Sequence, residues 1–104
     1  MIRHIVMWKF REGTQAEMEQ FLDQLRGLYG VIPQIRAQEV GVDCAGGGNY
    51  SAVLVPDFDS LEDLNTYKND PRHVAVSQLC KSIRLDRVAV DYQFLEGEKH
   101  GHSL

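Results

Sequence analysis

Residues 56–76 read PDFDSLEDLNTYKNDPRHVAV and carry the signals for the end of a strand followed by two helices. Ser60 occupies the position of an N-cap for the first helix. That helix should end near Asn69, because a residue that precedes a proline is displaced from the helical region. Pro71 suits the first turn of a second helix, and Asp70 is the expected N-cap of that helix. The segment therefore predicts two helices joined by a sharp bend.

A tyrosine and a histidine lie on either side of this bend. Tyr67 falls on the apolar stripe of the first helix, and His73 falls in the first turn of the second helix, six residues later. Both side chains can therefore converge on one spot. A histidine can act as a general base near neutral pH, and the helix N-terminus disfavours its charged form. The alternative is structural, with His73 bonding a backbone carbonyl or the Tyr67 hydroxyl and locking the bend.

The N-terminal part of the chain predicts a strand and then a helix. Residues 2–10 have the period of two that is typical of a strand, with successive side chains on opposite faces. The face that carries His4 and Trp8 is largely apolar. Thr14 and Glu17 have the spacing of a capping box, which predicts that the helix begins there. Its apolar stripe recurs at helical spacing and consists of Met18, Phe21, Leu22, Leu25, Leu28 and Tyr29.

Three more strands follow from alternating or weakly apolar runs. Residues 37–42 are polar enough for an edge strand. In residues 50–58, successive side chains fall on alternate faces of a strand. Residues 84–95 form the last strand and place valines and aromatic side chains on one face. The helix after the bend has an apolar stripe of Val74, Leu79, Cys80 and Ile83. Residues 97–104 are polar and are expected to form a flexible C-terminal tail, which leaves residues 1–96 as one domain.

The order of these elements, β-α-β-β-α(α)-β, predicts an α+β fold. It matches the ferredoxin-like βαββαβ pattern, in which helices cover one face of an antiparallel sheet. The first and last strands are apolar on both faces, so the second face of the sheet also needs a cover. The chain has no spare element for this purpose. We therefore expect a homodimer in which two copies pair as a dimeric α/β barrel.

Composition limits the partners of the chain. The net charge is −4 and no Lys/Arg cluster is present, which argues against nucleic acid or an anionic membrane as a partner. No apolar run approaches the ~20 residues of a membrane span, and no signal-peptide pattern opens the sequence. Cys44 and Cys80 lack a CxxC spacing and are expected to be free thiols. Together these features predict a cytoplasmic protein.

No motif for a cofactor or a metal ion is present. The glycine triplet at residues 46–48 follows a strand, but no helix begins after it, so it lacks the context of a phosphate-binding loop. The histidines show none of the spacings typical of metal ligands. We therefore expect neither a cofactor nor a structural metal.

Several stretches of the chain match the pattern of one family. They are the opening strand MIRHIVMWKF, the pair DF at residues 57–58, the run Y-x-x-D-P-x-H-V at residues 67–74, and VDYQF at residues 90–94. The chain thus resembles the stress-responsive dimeric α+β barrel (Dabb) family over residues 2–95. The resemblance implies a ferredoxin-like protomer that pairs with its twin into a barrel, consistent with the fold expected from the pattern of elements.

The resemblance also implies roles for particular residues. A plant member of the family closes a linear polyketide by aldol condensation, using a histidine as base and a paired tyrosine that binds and polarises the substrate. Those two positions correspond to His73 and Tyr67, and a pocket histidine on the first strand corresponds to His4. A further pocket histidine falls at Ala52, so the resemblance does not imply the same substrate. Asp70 stands where the family often has histidine, and its role as a helix cap explains that difference.

A small-molecule pocket is expected between the sheet and the helices, apolar with a few convergent polar groups. Besides Tyr67 and His73, its expected lining consists of His4, Val6, Trp8, Phe21, Leu25, Leu54 and Leu61. For His4, the alternative is a buried histidine that is hydrogen-bonded within the core.

Two classes of function follow from this site. The first is a cofactor-free lyase or cyclase that uses His73 as base on a small apolar carbonyl compound. The second is a non-catalytic stress-response or binding protein, in which the pair of Tyr67 and His73 is structural. A cofactor-free monooxygenase is a third option, which rests on analogy of fold alone.

Overall fold

The computed structural model describes residues 1–95, and the predicted tail at residues 97–104 lies outside them. The described chain forms four strands and three helices: β1 (Ile2–Phe10), α1 (Gln15–Arg26), β2 (Ala37–Val42), β3 (Ala52–Phe58), α2 (Leu61–Asn69), α3 (Pro71–Ile83) and β4 (Arg84–Gln93). The strands pair antiparallel in the order β2-β3-β1-β4. This arrangement confirms the ferredoxin-like fold, with its second helical segment divided into α2 and α3.

The central strand β1 separates the two faces of the sheet. Ile2, His4, Val6 and Trp8 are buried on the face that the helices cover, as the alternation predicted. On the opposite face, Ile5 lies beside Val90 of β4, and Met7 lies between Val88 of β4 and Val53 of β3. We call this second surface the open face, and its apolar residues on β4 are exposed in the protomer.

The first helix begins where the sequence predicted, but the predicted capping box is absent. The Thr14 hydroxyl donates a hydrogen bond to the carbonyl of Arg11 and makes no bond to the amide groups of the helix. The hydroxyl bonds a carbonyl of the preceding turn instead of capping the helix, because local backbone groups often compete for a threonine side chain. Tyr29, predicted to belong to the apolar stripe, is 52% exposed, because α1 ends at Arg26 and the chain has already turned.

The bend between α2 and α3 forms as predicted. The Ser60 hydroxyl accepts a hydrogen bond from the amide of Asp63, and the Asp70 carboxylate accepts one from the amide of Arg72. Pro71 is the first residue of α3. The stripe of α3 differs from the prediction, because Val76 is buried with Cys80 and Ile83 while Val74 is largely exposed. The phase of the helix is therefore set by its packing on α1 rather than by Val74.

The core fills the space between the helices and the covered face of the sheet. Trp8 of β1 packs edge-on against Phe21 of α1, with ring centroids 5.0 Å apart. Phe58 and Tyr67 form a second aromatic pair, also with centroids 5.0 Å apart. Cys44 is exposed and Cys80 is buried, and both are free thiols. Within residues 1–95, no helix is long and apolar enough to cross a membrane.

Candidate functional site

A cavity of about 400 Å³ lies between the sheet and the helices. Tyr67 and His73 line it together with six of the other residues predicted for the pocket, namely His4, Val6, Trp8, Phe21, Leu25 and Leu54. The two central strands supply His4, Val6, Trp8 and Leu54, while α1 supplies Phe21 and Leu25. Its volume falls within the range typical of sites for small molecules.

Leu61 is the exception, and its predicted place in the lining is wrong. It is the first residue of α2 and is 62% exposed, so it does not reach the cavity. Side chains on a helix lean towards its N-terminus, and that of Leu61 therefore projects beyond the start of α2. Leu64 and Tyr67, one and two turns later, are buried in its place.

The bend brings Tyr67 and His73 together as the sequence predicted. Their ring centroids are 4.3 Å apart and their planes are inclined by 46°. Phe58 contacts Tyr67 as well, so the phenol ring lies between aromatic neighbours on the sheet and on α3. This packing fixes the orientation of the tyrosine ring inside the cavity.

The hydroxyl of Tyr67 is buried without a hydrogen-bond partner among residues 1–95. The residue is only 1% exposed, and burial raises the pKa of the phenol above its ordinary value. The group therefore stays protonated and can donate a hydrogen bond. Because a buried hydroxyl without a partner carries a desolvation cost of about 1–3 kcal/mol, a polar ligand atom that accepts from it would relieve that cost.

The tautomer of His73 follows from its hydrogen bond. Its Nδ1 atom lies 3.2 Å from the carbonyl oxygen of Lys68, which can only accept, so the proton resides on Nδ1. The lone pair of the neutral ring is consequently on Nε2. The bond joins the last turn of α2 to the first turn of α3, and it holds the ring in place across the bend.

The surroundings of His73 keep it neutral. Burial lowers the pKa of the imidazole, although the hydrogen bond to Lys68 acts in the opposite direction. The positive charge of Arg87 lowers the pKa further, and so would a proton on His4. A neutral imidazole with a free Nε2 is the form that accepts a proton.

His4 is a buried histidine with a carboxylate partner. Its Nδ1 atom donates a hydrogen bond to the Asp91 carboxylate on β4, directly across from it in the sheet. The other carboxylate oxygen of Asp91 lies 3.9 Å from the Lys68 ammonium. Burial lowers the pKa of His4 despite the Asp91 bond, which acts to raise it. Both alternatives for His4 thus hold at once, since it is hydrogen-bonded in the core and also lines the cavity.

Sequence reasoning missed Asp91 and several cations around the cavity. Four basic side chains line it: Lys68, Lys81, Arg84 and Arg87. A signal for two of the missed residues was present in β4. Because the sequence assigned Val88 and Val90 to one face of the strand, Arg87 and Asp91 had to lie on the other face, which is the face of the cavity. What the sequence did not supply was the pairing of β4 with β1, which sets Arg87 opposite Trp8 and Asp91 opposite His4.

No group of three or more His, Cys, Asp or Glu side chains within residues 1–95 is arranged to hold a metal ion. The polar groups of the cavity are instead two imidazoles, a phenol, basic side chains, the Ser77 hydroxyl and the Cys80 thiol. Together they can hydrogen-bond an oxygen atom and accept a proton close to it.

These observations define a ferredoxin-like α+β protomer with a histidine-tyrosine cavity, and comparison with known proteins places it in a family. The sequence profile of the stress-responsive A/B barrel domain, Dabb, matches residues 2–94. The chain belongs to the Dabb family.

Individual relatives agree with this assignment. The chain is 25% identical over 95 residues to olivetolic acid cyclase from Cannabis sativa, a match that covers 88% of this chain and 94% of the cyclase. A dimeric protein of unknown function from Bacteroides fragilis has the same ferredoxin-like fold, with a TM-score of 0.84 and 31% identity over 89% of this chain and 95% of its own. A dimeric ferredoxin-like protein from Thermobifida fusca gives a TM-score of 0.81 and 29% identity, covering 89% and 90% of the two chains.

Proposed function

We propose that this protein is a cytoplasmic, homodimeric, cofactor-free lyase or cyclase that acts on a small carbonyl compound. His73 is the base and Tyr67 is the group that polarises the carbonyl. One observation carries the proposal: a neutral histidine with a free Nε2 packs against the ring of a tyrosine whose protonated hydroxyl has no partner among residues 1–95, and both residues line one cavity. The similarity to a plant cyclase supports the same class of chemistry.

The reaction that suits these groups starts with removal of a proton next to a carbonyl. Nε2 of His73 takes the proton as the carbon–hydrogen bond breaks, and the electron pair moves into the carbonyl to give an enolate. The Tyr67 hydroxyl donates a hydrogen bond to the enolate oxygen, where negative charge develops. In an aldol closure, the enolate carbon bonds to a second carbonyl carbon of the same molecule. The oxygen of that second carbonyl then takes the proton back from His73.

The apolar part of the cavity supports this chemistry in two ways. Val6, Leu54 and Phe21 exclude water, which strengthens the hydrogen bond from Tyr67 to a developing oxyanion. They also hold the carbon chain of the substrate close to the base, and such positioning contributes strongly to the rate of a cyclisation.

Pairing into a homodimer is part of the proposal, and the open face of the sheet supports it. Val88, Val90 and Tyr92 of β4 are between 38% and 56% exposed in the protomer. Val88 lies beside Met7 of β1 and Val90 lies beside Ile5, so these residues form an apolar surface that Tyr92 extends along β4. A second copy of the chain would cover this surface, and the structural neighbours from two bacteria are dimers.

A general test follows the exchange of protons next to a carbonyl. Small methyl ketones are incubated with the protein in D₂O, and exchange is monitored by NMR. We expect the protein to accelerate exchange and His73→Gln to reduce that rate by about 10²–10⁴-fold. Gln78→Ala, at an exposed position of the same helix, is the matched control and should leave the rate unchanged.

The second candidate function is non-catalytic, and one observation favours it. The bond from His73 to the Lys68 carbonyl and the contact with Tyr67 also hold α2 against α3. In that case the wild-type protein would not accelerate exchange with any ketone. His73→Gln would then lower the melting temperature without altering the binding of ligands. Measuring exchange and melting on the same variant separates the two functions.

A further inference from the structure

The cavity has an uneven distribution of charge. Four of the 11 basic side chains of a chain with net charge −4 line it, and its lining includes no carboxylate. Lys68 is close to Asp91, but Lys81, Arg84 and Arg87 make no ion pair with an acid among residues 1–95. This cavity therefore carries a local excess of positive charge in an acidic protein.

Arg87 is an exposed residue of β4 and one source of this charge. It lies opposite Trp8 in the pairing of β4 with β1, on the face of the sheet that the helices cover. Its positive charge opposes the rise that burial causes in the pKa values of Tyr67 and Cys80, and it disfavours protonation of His4 and His73. Groups on β1, α2 and α3 all experience the same guanidinium, so Arg87 acts on the cavity as a whole.

The opposite side of the cavity is apolar. Val6, Leu54, Phe21 and Leu25 are all buried and contribute no polar side-chain atom. A neutral ligand would match this side but would leave the basic side chains without a counter-charge. An amphipathic anion matches both sides, with its chain on the apolar residues and its head at the cations. A guanidinium forms bidentate hydrogen bonds with the oxygens of carboxylates and phosphates.

We propose that the ligand of this cavity carries an anionic head, a carboxylate or a phosphate monoester, on a short apolar chain, and that Arg87, Arg84 and Lys81 bind that head. The inference rests on the proposed function, because it names the class of substrate for the same cavity. The unpartnered hydroxyl of Tyr67 is an independent sign that the cavity receives a polar ligand. The cations then hold one end of the substrate while Tyr67 and His73 meet its carbonyl.

Trp8 provides a direct readout of binding. It is the single tryptophan of the chain and it lines the cavity, so its fluorescence reports occupancy. The probes are octanoate, octyl phosphate and 1-octanol, which share a chain length and differ in the head. We expect at least one anion to bind about tenfold or more tightly than octanol, with an affinity that falls as salt is added. Tighter binding of octanoate or of octyl phosphate identifies which head the site prefers.

Substitutions locate the site of the head. Arg87→Gln should weaken binding of the preferred anion by about tenfold and leave octanol unaffected. Arg26→Gln is the matched control, since Arg26 is exposed on α1, paired with Asp23, and absent from the lining. Lys81→Gln gives a second test on another element should Arg87→Gln fail to fold.

The outcomes distinguish this inference from the proposed function. Equal affinity for octanol and both anions, or no binding of either anion at about 1 mM, overturns the inference. So does an unchanged anion affinity in both Arg87→Gln and Lys81→Gln. If the wild-type protein catalyses no exchange but His73→Gln still binds the anion, the anion site is upheld and only the catalytic role is rejected. Exchange that is catalysed equally well with neutral and anionic ketones upholds the catalytic role and rejects only the anion site.

Discussion

The imidazole of His4 and the carboxylate of Asp91 are hydrogen-bonded across two neighbouring strands, 87 positions apart in the chain. The carboxylate favours a proton on the ring, but burial outweighs it and the pKa of His4 is lowered. His73, in the same cavity, also has a lowered pKa with burial as the main cause. Two neutral imidazoles therefore face one cavity, and the folded protein resists their protonation.

The first prediction concerns the pH dependence of stability. Both histidines have a lower pKa in the folded state than in the unfolded chain, where it is about 6.5. The unfolded state therefore binds more protons as the pH falls, so acidification from about pH 7.5 to 5.5 should decrease the free energy of unfolding. Urea melts across this range should show the decrease, and the double variant His4→Gln/His73→Gln should remove most of it. Stability that rises on acidification would show that Asp91 outweighs burial at His4.

The second prediction separates the stability and the function of Tyr67. Its hydroxyl has no partner among the described residues, so Tyr67→Phe removes a desolvation cost while keeping the packing of the ring. We expect an equal or higher free energy of unfolding. Any turnover or binding of a carbonyl ligand should fall in the same variant. A loss of stability above about 1 kcal/mol would instead indicate that the hydroxyl is bonded in the folded protein.

The third prediction tests the core. Trp8 is 4% exposed and packs against Phe21, so Trp8→Ala should lower the free energy of unfolding by about 3–5 kcal/mol. The control is Leu61→Ala, because Leu61 is exposed at the start of α2; its effect should stay within about 0.5 kcal/mol. Denaturant melts of both variants give the comparison. Similar losses in the two would contradict the assigned burial.

The fourth prediction addresses the open face. Val90→Asp places a charge in the centre of that apolar surface, beside Ile5. We expect light scattering to show a dimer for the wild-type protein and a monomer for the variant, because an unpaired charge is costly in an interface. Leu61→Asp, on the other side of the protomer, should remain dimeric. A wild-type monomer at micromolar concentration, or a crystal interface below ~1,000 Å², would reject the homodimer.

The strands and the bend could be predicted because their signals are local. Alternation in residues 2–10 assigned His4 and Trp8 to the covered face, and the sequence around Pro71 located the end of α2 within a residue. The same bend brought Tyr67 and His73 together, so half of the polar site was predictable from a spacing of six residues.

Errors arose where tertiary surroundings overrule a local pattern. Thr14 has the spacing of a cap, yet its hydroxyl found a closer acceptor at Arg11. Tyr29 and Leu61 continue the apolar periodicity of their helices but lie at or beyond the helix ends, where no core remains to cover them. Periodicity alone does not show where the helix ends or where the core that covers it ends.

The cations and Asp91 were missed for a different reason. Only the register of β4 against β1, which joins opposite ends of the described chain, makes Arg87 a cavity residue and Asp91 the partner of His4. A sequence pattern gives the two faces of such a strand but not its neighbours in the sheet. Residues that complete a site through distant pairing are therefore the hardest to identify from sequence.

This pairing also controls how the site is assembled and how it opens. Tyr67, Lys68 and His73 come together within a short segment, whereas His4 acquires its partner only when β4 joins β1. Closing so long a loop is slow, so the histidine-tyrosine half should form early in folding and the basic half late. β4 is also an edge strand, and fraying of this one strand would take Arg87 away from the cavity and Asp91 away from His4 in a single event. Hydrogen exchange at the amides of β4 would then report the rate at which the whole site opens to solvent.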